Sequence, residues 1–160
     1  MSNPAAQRRT EQRDGTTWIW LDSSEWLTLA REVRADGFVR CEWLTAVHNG
    51  AESFTVTACV SRDGIDQTIF CTTIEATINS LTEIWPNVEF HEREVRQMFG
   101  IQFINLNNPN SAFNAPLPGL PLRRDFALTP RVNQPWPGQV DPDKVKKPKL
   151  PPGVSQEWIQ

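Results

Sequence analysis

With 160 residues, 39% of them hydrophobic and 22% charged, the chain can bury one substantial core and is too polar to lie in a bilayer throughout. Its formal net charge of −3 argues against a dedicated nucleic-acid binder, which needs a basic face to neutralise phosphates. No run approaches the roughly 18 consecutive apolar residues that a membrane-spanning helix requires.

Residues 1–15, "MSNPAAQRRTEQRDG", contain no apolar stretch of the secretory kind and read as a short mobile leader. The folded part begins with "TTWIWLD", a β-like run. Asp22 or Ser23 then offers an N-cap to a helix running to about Ala35, along which Trp26, Ala30 and Val33, with Leu29, form an apolar stripe. Gly37 supplies the left-handed stop. Three strand candidates follow: "FVRCEWLTAV", "ESFTVTACV" and "IDQTIFCT", separated by "HNG" and "SRDG". The second alternates Phe54, Val56, Ala58 and Val60 on one face, so the three predict an antiparallel meander. His48 falls at the first of these turns and is expected to be solvated.

Cys41, Cys59 and Cys71 stand 18 and 12 residues apart, without a C-x-x-C pair or a histidine at ligand spacing, and read as buried apolar residues on strands. Free thiols fit a reducing, cytoplasmic compartment. Thr73 can cap a second helix carrying Ile74, Ile78 and Leu81, which ends before Trp85-Pro86. A further helix starts at Asn87, with His91, Val95, Met98 and Phe99 on one face and Glu92 paired to Arg96 at i, i+4; Gly100 stops it.

Beyond Phe103 the texture changes. Up to that residue nine basic side chains face fifteen acidic ones, and from Ile104 onward seven basic face four acidic. Eleven of the thirteen prolines lie in this second part, so an extended tail that orders only against another surface is expected over 104–160. Phe113, Leu117, Leu120, Leu122, Phe126, Trp136 and Trp158 are its candidate anchors. The expected class is therefore α+β: residues 16–103 form a small antiparallel or mixed sheet packed with two to three helices, followed by the proline-rich tail.

The cluster Glu92-Arg93-Glu94 invites a catalytic reading, but consecutive helical residues point about 100° apart and cannot flank one bond as paired carboxylates. His91 and Glu94 have the i, i+3 spacing of carboxylate-bridged metal sites, yet the second Glu-x-x-His element such sites need is missing. Neither a G-x-S-x-G elbow nor a phosphate-binding glycine loop is present. A stand-alone enzyme using His91 with Glu92 or Glu94 and a soluble adaptor acting through the tail are the competing classes.

"LTEIWPNVEFHEREVRQMFGIQF" followed by "LPLRRDF" resembles the signature of the 30 kDa subunit of respiratory complex I (NADH-quinone oxidoreductase) and its relatives in membrane-bound hydrogenases. Trp85, Pro86, Glu92, Arg93, Glu94, Met98, Phe99, Gly100 and Ile101 match its first element, and Pro121, Leu122, Arg123, Arg124, Asp125 and Phe126 its second. In two places the chain departs from the pattern: "INLNNPNSAFNAPLPG" replaces the usual Gly-His-Pro element, and Gln97 stands for an aspartate.

The resemblance implies a non-catalytic subunit in the peripheral arm of an ion-translocating redox complex, on the cytoplasmic face of the membrane and touching the bilayer only through the complex. Its partners would be the large quinone-site or hydrogenase-like subunit and small Fe-S subunits. No cofactor is implied in this chain, with Fe-S clusters, flavin or nickel-iron in other subunits. Glu92, Arg93, Glu94, Phe99 and Gly100 would fasten the helix to the tail and partner. Pro121, Leu122, Arg123, Arg124, Asp125 and Phe126 would pin the tail, with Trp136 beyond. Complex I and hydrogenase-type assemblies both stay open.

Overall fold

The computed structural model describes residues 8–108, 110–113, 117 and 119–127. These fall in one compact unit. Trp136, Trp158 and the greater part of the expected tail lie outside the described residues.

A five-stranded mixed sheet carries the fold. Its strands are β1 (Arg9–Arg13), β2 (Thr16–Leu21), β3 (Arg40–Gly50), β4 (Ser53–Arg62) and β5 (Asp66–Ile74), arranged β1-β2-β5-β4-β3. The expected meander is present, with β3/β4 and β4/β5 antiparallel and Phe54, Val56, Ala58 and Val60 buried on one face. β2 returns beside β5 in parallel, which makes the sheet mixed.

β1 lies where a mobile leader is expected. It has no apolar residue of its own, and pairing with β2 through the Asp14-Gly15 turn, both residues at positive φ, holds it in the sheet. Arg8 adds ion pairs to Glu25 and Glu32.

α1 (Trp26–Ala35), preceded by a 3-10 turn over Ser23–Glu25, buries the expected stripe of Trp26, Leu29, Ala30 and Val33. The side-chain cap expected from Asp22 or Ser23 is not made. The Asp22 carbonyl instead accepts from Glu25 N–H at 3.0 Å.

No helix forms over 73–84. β5 runs through Ile74, and Thr77–Asn79 is β6, paired in parallel with β7 (Gln102–Ile104). Ile74 and Ile78 are four apart, a spacing that shares a face on a strand as well as on a helix, so burial of that pair does not distinguish the two; Leu81, three residues further, is buried beyond the end of β6. The β-branched run "TTIEATI" favours extended backbone.

After a 3-10 turn at Pro86–Val88, α2 (Glu89–Phe99) ends at Gly100, whose φ of 83° is left-handed. Trp26, Phe70 and Trp85 pack in succession through the core as tilted rings, with centroids 4.8 and 6.3 Å apart. Trp85 Nε1–H donates to Phe38 O at 2.8 Å, and Asn87 Nδ2–H to Cys41 O at 2.6 Å. The three cysteines are buried on β3, β4 and β5 with free thiols.

Candidate interaction site

α2 is rotated from the expected face. Its buried stripe is Glu92, Val95 and Phe99, while His91 and Met98 are half-buried. Glu92 is 0% exposed. Its Oε2 accepts from Ser80 Oγ–H and its Oε1 from Leu81 N–H, both at 2.6 Å. Ser80 Oγ also accepts from Thr82 N–H at 3.1 Å and shares a hydrogen bond with Thr82 Oγ1 at 2.7 Å. Burial pushes the Glu92 carboxyl up to about 7. The two donors, which favour the ionised form, oppose that shift, and Glu89 reinforces it. The expected Glu92–Arg96 surface pair is therefore replaced by an inward fastening of residues 80–82 to α2. An i, i+4 ion pair lies three residues earlier on the same helix, Arg93 Nη1 to Glu89 Oε1 at 3.2 Å.

Arg93 reaches the segment after β7 as well, donating from Nη2 to Ser111 O at 3.1 Å. Gln97 Oε1 accepts from Ser111 Oγ–H and Ala112 N–H, each at 3.0 Å. An amide at position 97 thus holds the loop to the helix. Glu94 is half-buried on the adjoining face, and His91 stands edge-on to Phe90. Among the described residues no group of three His, Cys, Asp or Glu is placed to hold a metal.

Residues 119–127 return to the domain. Leu122 N–H donates to Met98 O at 3.3 Å, and Leu120 covers Gly100, where an added Cβ would lie 2.9 Å from Leu120 Cδ1. Arg123 pairs with Glu52 at 2.9 Å and Asp125 at 3.3 Å, and its guanidinium lies 5.4 Å from the Phe54 ring centroid. Arg124 N–H donates to His48 Nδ1 at 3.0 Å, and Arg124 Nη1 donates to Asn49 O at 3.3 Å.

His48 is buried on β3, contrary to the solvated turn residue expected, because β3 runs on through Gly50. With Nδ1 accepting, Nε2 carries the proton and donates to Ala51 O at 2.7 Å. The imidazole stacks on Phe54, whose ring meets Phe99 edge-on.

The two sequence elements, Glu92–Ile101 and Pro121–Phe126, thus meet on the chain itself. Pro121 and Phe126 are half-buried, and Leu122 (54% exposed) and Val47 (56%) stand open. Around them is a recess of about 410 Å³ lined by Ala46, Val47, His48, Asn49, Phe99, Leu122 and Arg124. His48, Glu52, Ser80 and Ser111 were not among the expected site residues. They act through hydrogen bonds or a single ion pair to residues distant in sequence, which no local pattern announces.

The chain matches the family model described as the respiratory-chain NADH dehydrogenase 30 kDa subunit over residues 19–132. No curated protein sequence matches it. Among solved structures it resembles a trypsin-resistant fragment of Nqo5, with a TM-score of 0.56 and 19% identity over 63% of this chain and 89% of that one. It also resembles a chain from the membrane-bound sulfane sulfur reductase, an archaeal respiratory membrane complex, with a TM-score of 0.65 and 19% identity over 78% of this chain and 79% of that one. At such identity these likenesses concern the fold.

Proposed function

The chain belongs to the 30 kDa subunit family of the respiratory-chain NADH dehydrogenase, and we propose on that footing that it is a non-catalytic, peripheral-arm subunit of an ion-translocating redox complex. In this reading it docks on the large quinone-site subunit, on the cytoplasmic side of the membrane, with the redox centres held by neighbouring subunits. No helix among the described residues is long and apolar enough to cross a membrane.

The observation that carries the reading is the meeting of the two family elements. Their charged and polar residues fasten the chain to itself: Glu92 to Ser80 and Leu81, Arg93 to Ser111, Arg123 to Glu52. Facing outward beside the exposed Arg124 and Asp125 are two apolar side chains, Leu122 of the second element and Val47 of β3. An open apolar patch rimmed by a cation suits a protein partner. The test is co-isolation of the complex through its large subunit. Val47→Asp with Leu122→Asp leaves the buried fastenings untouched and should release the chain from the complex. Full retention of the doubly substituted chain would contradict the reading.

The likeness to a chain of the sulfane sulfur reductase complex favours, as a second reading, the equivalent subunit of a hydrogenase-type complex. Nickel in the purified assembly would select it.

A further inference from the structure

The sheet has two edge strands, β1 and β3, and they differ in composition. Unpaired edge backbone invites another chain, and charge or proline on the strand discourages it. β1 carries Arg9, Glu11 and Arg13 among its five residues. β3 is eleven residues long, and its middle, Trp43–His48, contains no Asp, Glu, Lys, Arg or Pro.

The chain satisfies the two ends of the β3 edge and leaves the middle. Register shifts at Cys41/Trp43 and His48/Gly50 bound a regular stretch in which Trp43–His48 pair with Cys59–Phe54 of β4. At one end the Cys41 carbonyl accepts from Asn87 Nδ2–H at 2.6 Å, and at the other the Asn49 carbonyl accepts from Arg124 Nη1–H at 3.3 Å. Among the described residues, no backbone group outside the sheet bonds to the backbone of Trp43–His48, and the side chain that does is the strand's own Cys41 thiol, on Trp43 O. A strand paired on one side turns the N–H and C=O of every second residue away from its neighbour.

The recess beside Leu122 lies along this edge. Ala46–Asn49 line it in succession, although Ala46 and His48 are buried and Val47 and Asn49 are exposed. Successive strand side chains point to opposite faces, so what these four present in common is the edge of the strand.

Two properties define an occupant. A helix has already bonded its own backbone and cannot answer edge groups, whereas an extended segment can, about 4.8 Å away and with the same two-residue repeat. On the outer face Trp43 and Val47 are 36% and 56% exposed on either side of Thr45, which suits apolar side chains at alternate positions of the added strand. Arg124 brings charge to the recess and enters no ion pair among the described residues.

We propose that the Trp43–His48 edge of β3 receives an extended segment of a neighbouring subunit as a sixth strand, apolar against Trp43 and Val47 and carrying an acidic residue that meets Arg124. The inference rests on the reading of the chain as a subunit of a larger complex. It specifies how the partner meets the Val47 side of the docking surface, through main-chain hydrogen bonds.

The experiment is hydrogen exchange at single-amide resolution on the intact purified complex, joined to photo-cross-linking from p-benzoylphenylalanine placed at the exposed Thr45. With a sixth strand in place, consecutive amides over Trp43–His48 are all slow, each at least about tenfold below its unprotected rate, and the cross-link joins Thr45 to a peptide of another subunit. Arg124→Glu should lower the yield of that cross-link and Arg124→Lys should retain it. Free exchange at every second amide, in a chain that stays in the complex, would overturn this inference and leave the proposed function standing. A cross-link to a second copy or to another segment of the same chain would do the same. A chain absent from any complex would remove both.

Discussion

The Arg124 backbone N–H donates to His48 Nδ1 at 3.0 Å, joining residues 76 positions apart in sequence. Because Nε2–H is committed to Ala51 O, the ring is a two-ended strut between the β3–β4 turn and the returning segment 119–127. His48→Phe keeps the stack on Phe54 but leaves both backbone groups without their partner. It should cost about 1–3 kcal/mol in denaturant unfolding and speed tryptic cleavage after Arg123 and Arg124. Unchanged stability and cleavage would show that the strut carries no load.

Glu92→Ala strands the donors Ser80 Oγ–H and Leu81 N–H in the core. A loss of about 2–4 kcal/mol is expected from equilibrium unfolding, with Glu92→Gln intermediate because its carbonyl can still accept one of them.

The same residue makes stability depend on pH. Its folded-state pKa, about 7, lies above the ordinary value of 4.5, so its contribution is fully present below about 4.5 and is lost as pH rises through 7. A shift of that size corresponds to roughly 3 kcal/mol as an order of magnitude. Unfolding curves between pH 4.5 and 8 should show the wild-type chain weakening relative to Glu92→Gln as pH rises. Parallel curves would contradict the assignment.

Gly100→Ala places a Cβ at a left-handed φ of 83° and 2.9 Å from Leu120 Cδ1. The backbone term alone is about 1–2 kcal/mol. Leu120→Ala removes the contact, so a double-mutant cycle should give a coupling energy between the two substitutions.

Arg123 tests how much of the tail's attachment is ionic. Glu52 is 73% exposed, so Glu52→Gln should cost no more than about 1 kcal/mol. Arg123→Ala should cost more, because it also removes the guanidinium from the Phe54 ring. Equal losses in thermal unfolding would mean that the ring contact contributes nothing.

What the sequence made legible followed from local periodicity and turn chemistry: the α1 stripe from Trp26 to Val33, the β3–β4–β5 meander, the span of α2 and its stop at Gly100. What it hid was set by pairing at a distance. β1 has no apolar pattern because it is an edge held by β2, and Ile74 and Ile78, four apart, fit the strand and helix periods alike. A glutamate is ordinarily read as surface, so Glu92 was turned outward and the face of α2 misread by one residue. The donors that hold it inward belong to residues 80 and 81, in a stretch expected to be helical. The motif residues were named from the resemblance, but their partners His48, Glu52 and Ser111 emerged only from the fold.

The most direct test of the central claim is native mass spectrometry of the species isolated from its own membranes through a tag on this chain. One copy of the chain in a stoichiometric assembly, with all Fe-S clusters, flavin or nickel assigned to other subunits, is the predicted result. A free chain that itself carries a redox centre would contradict it.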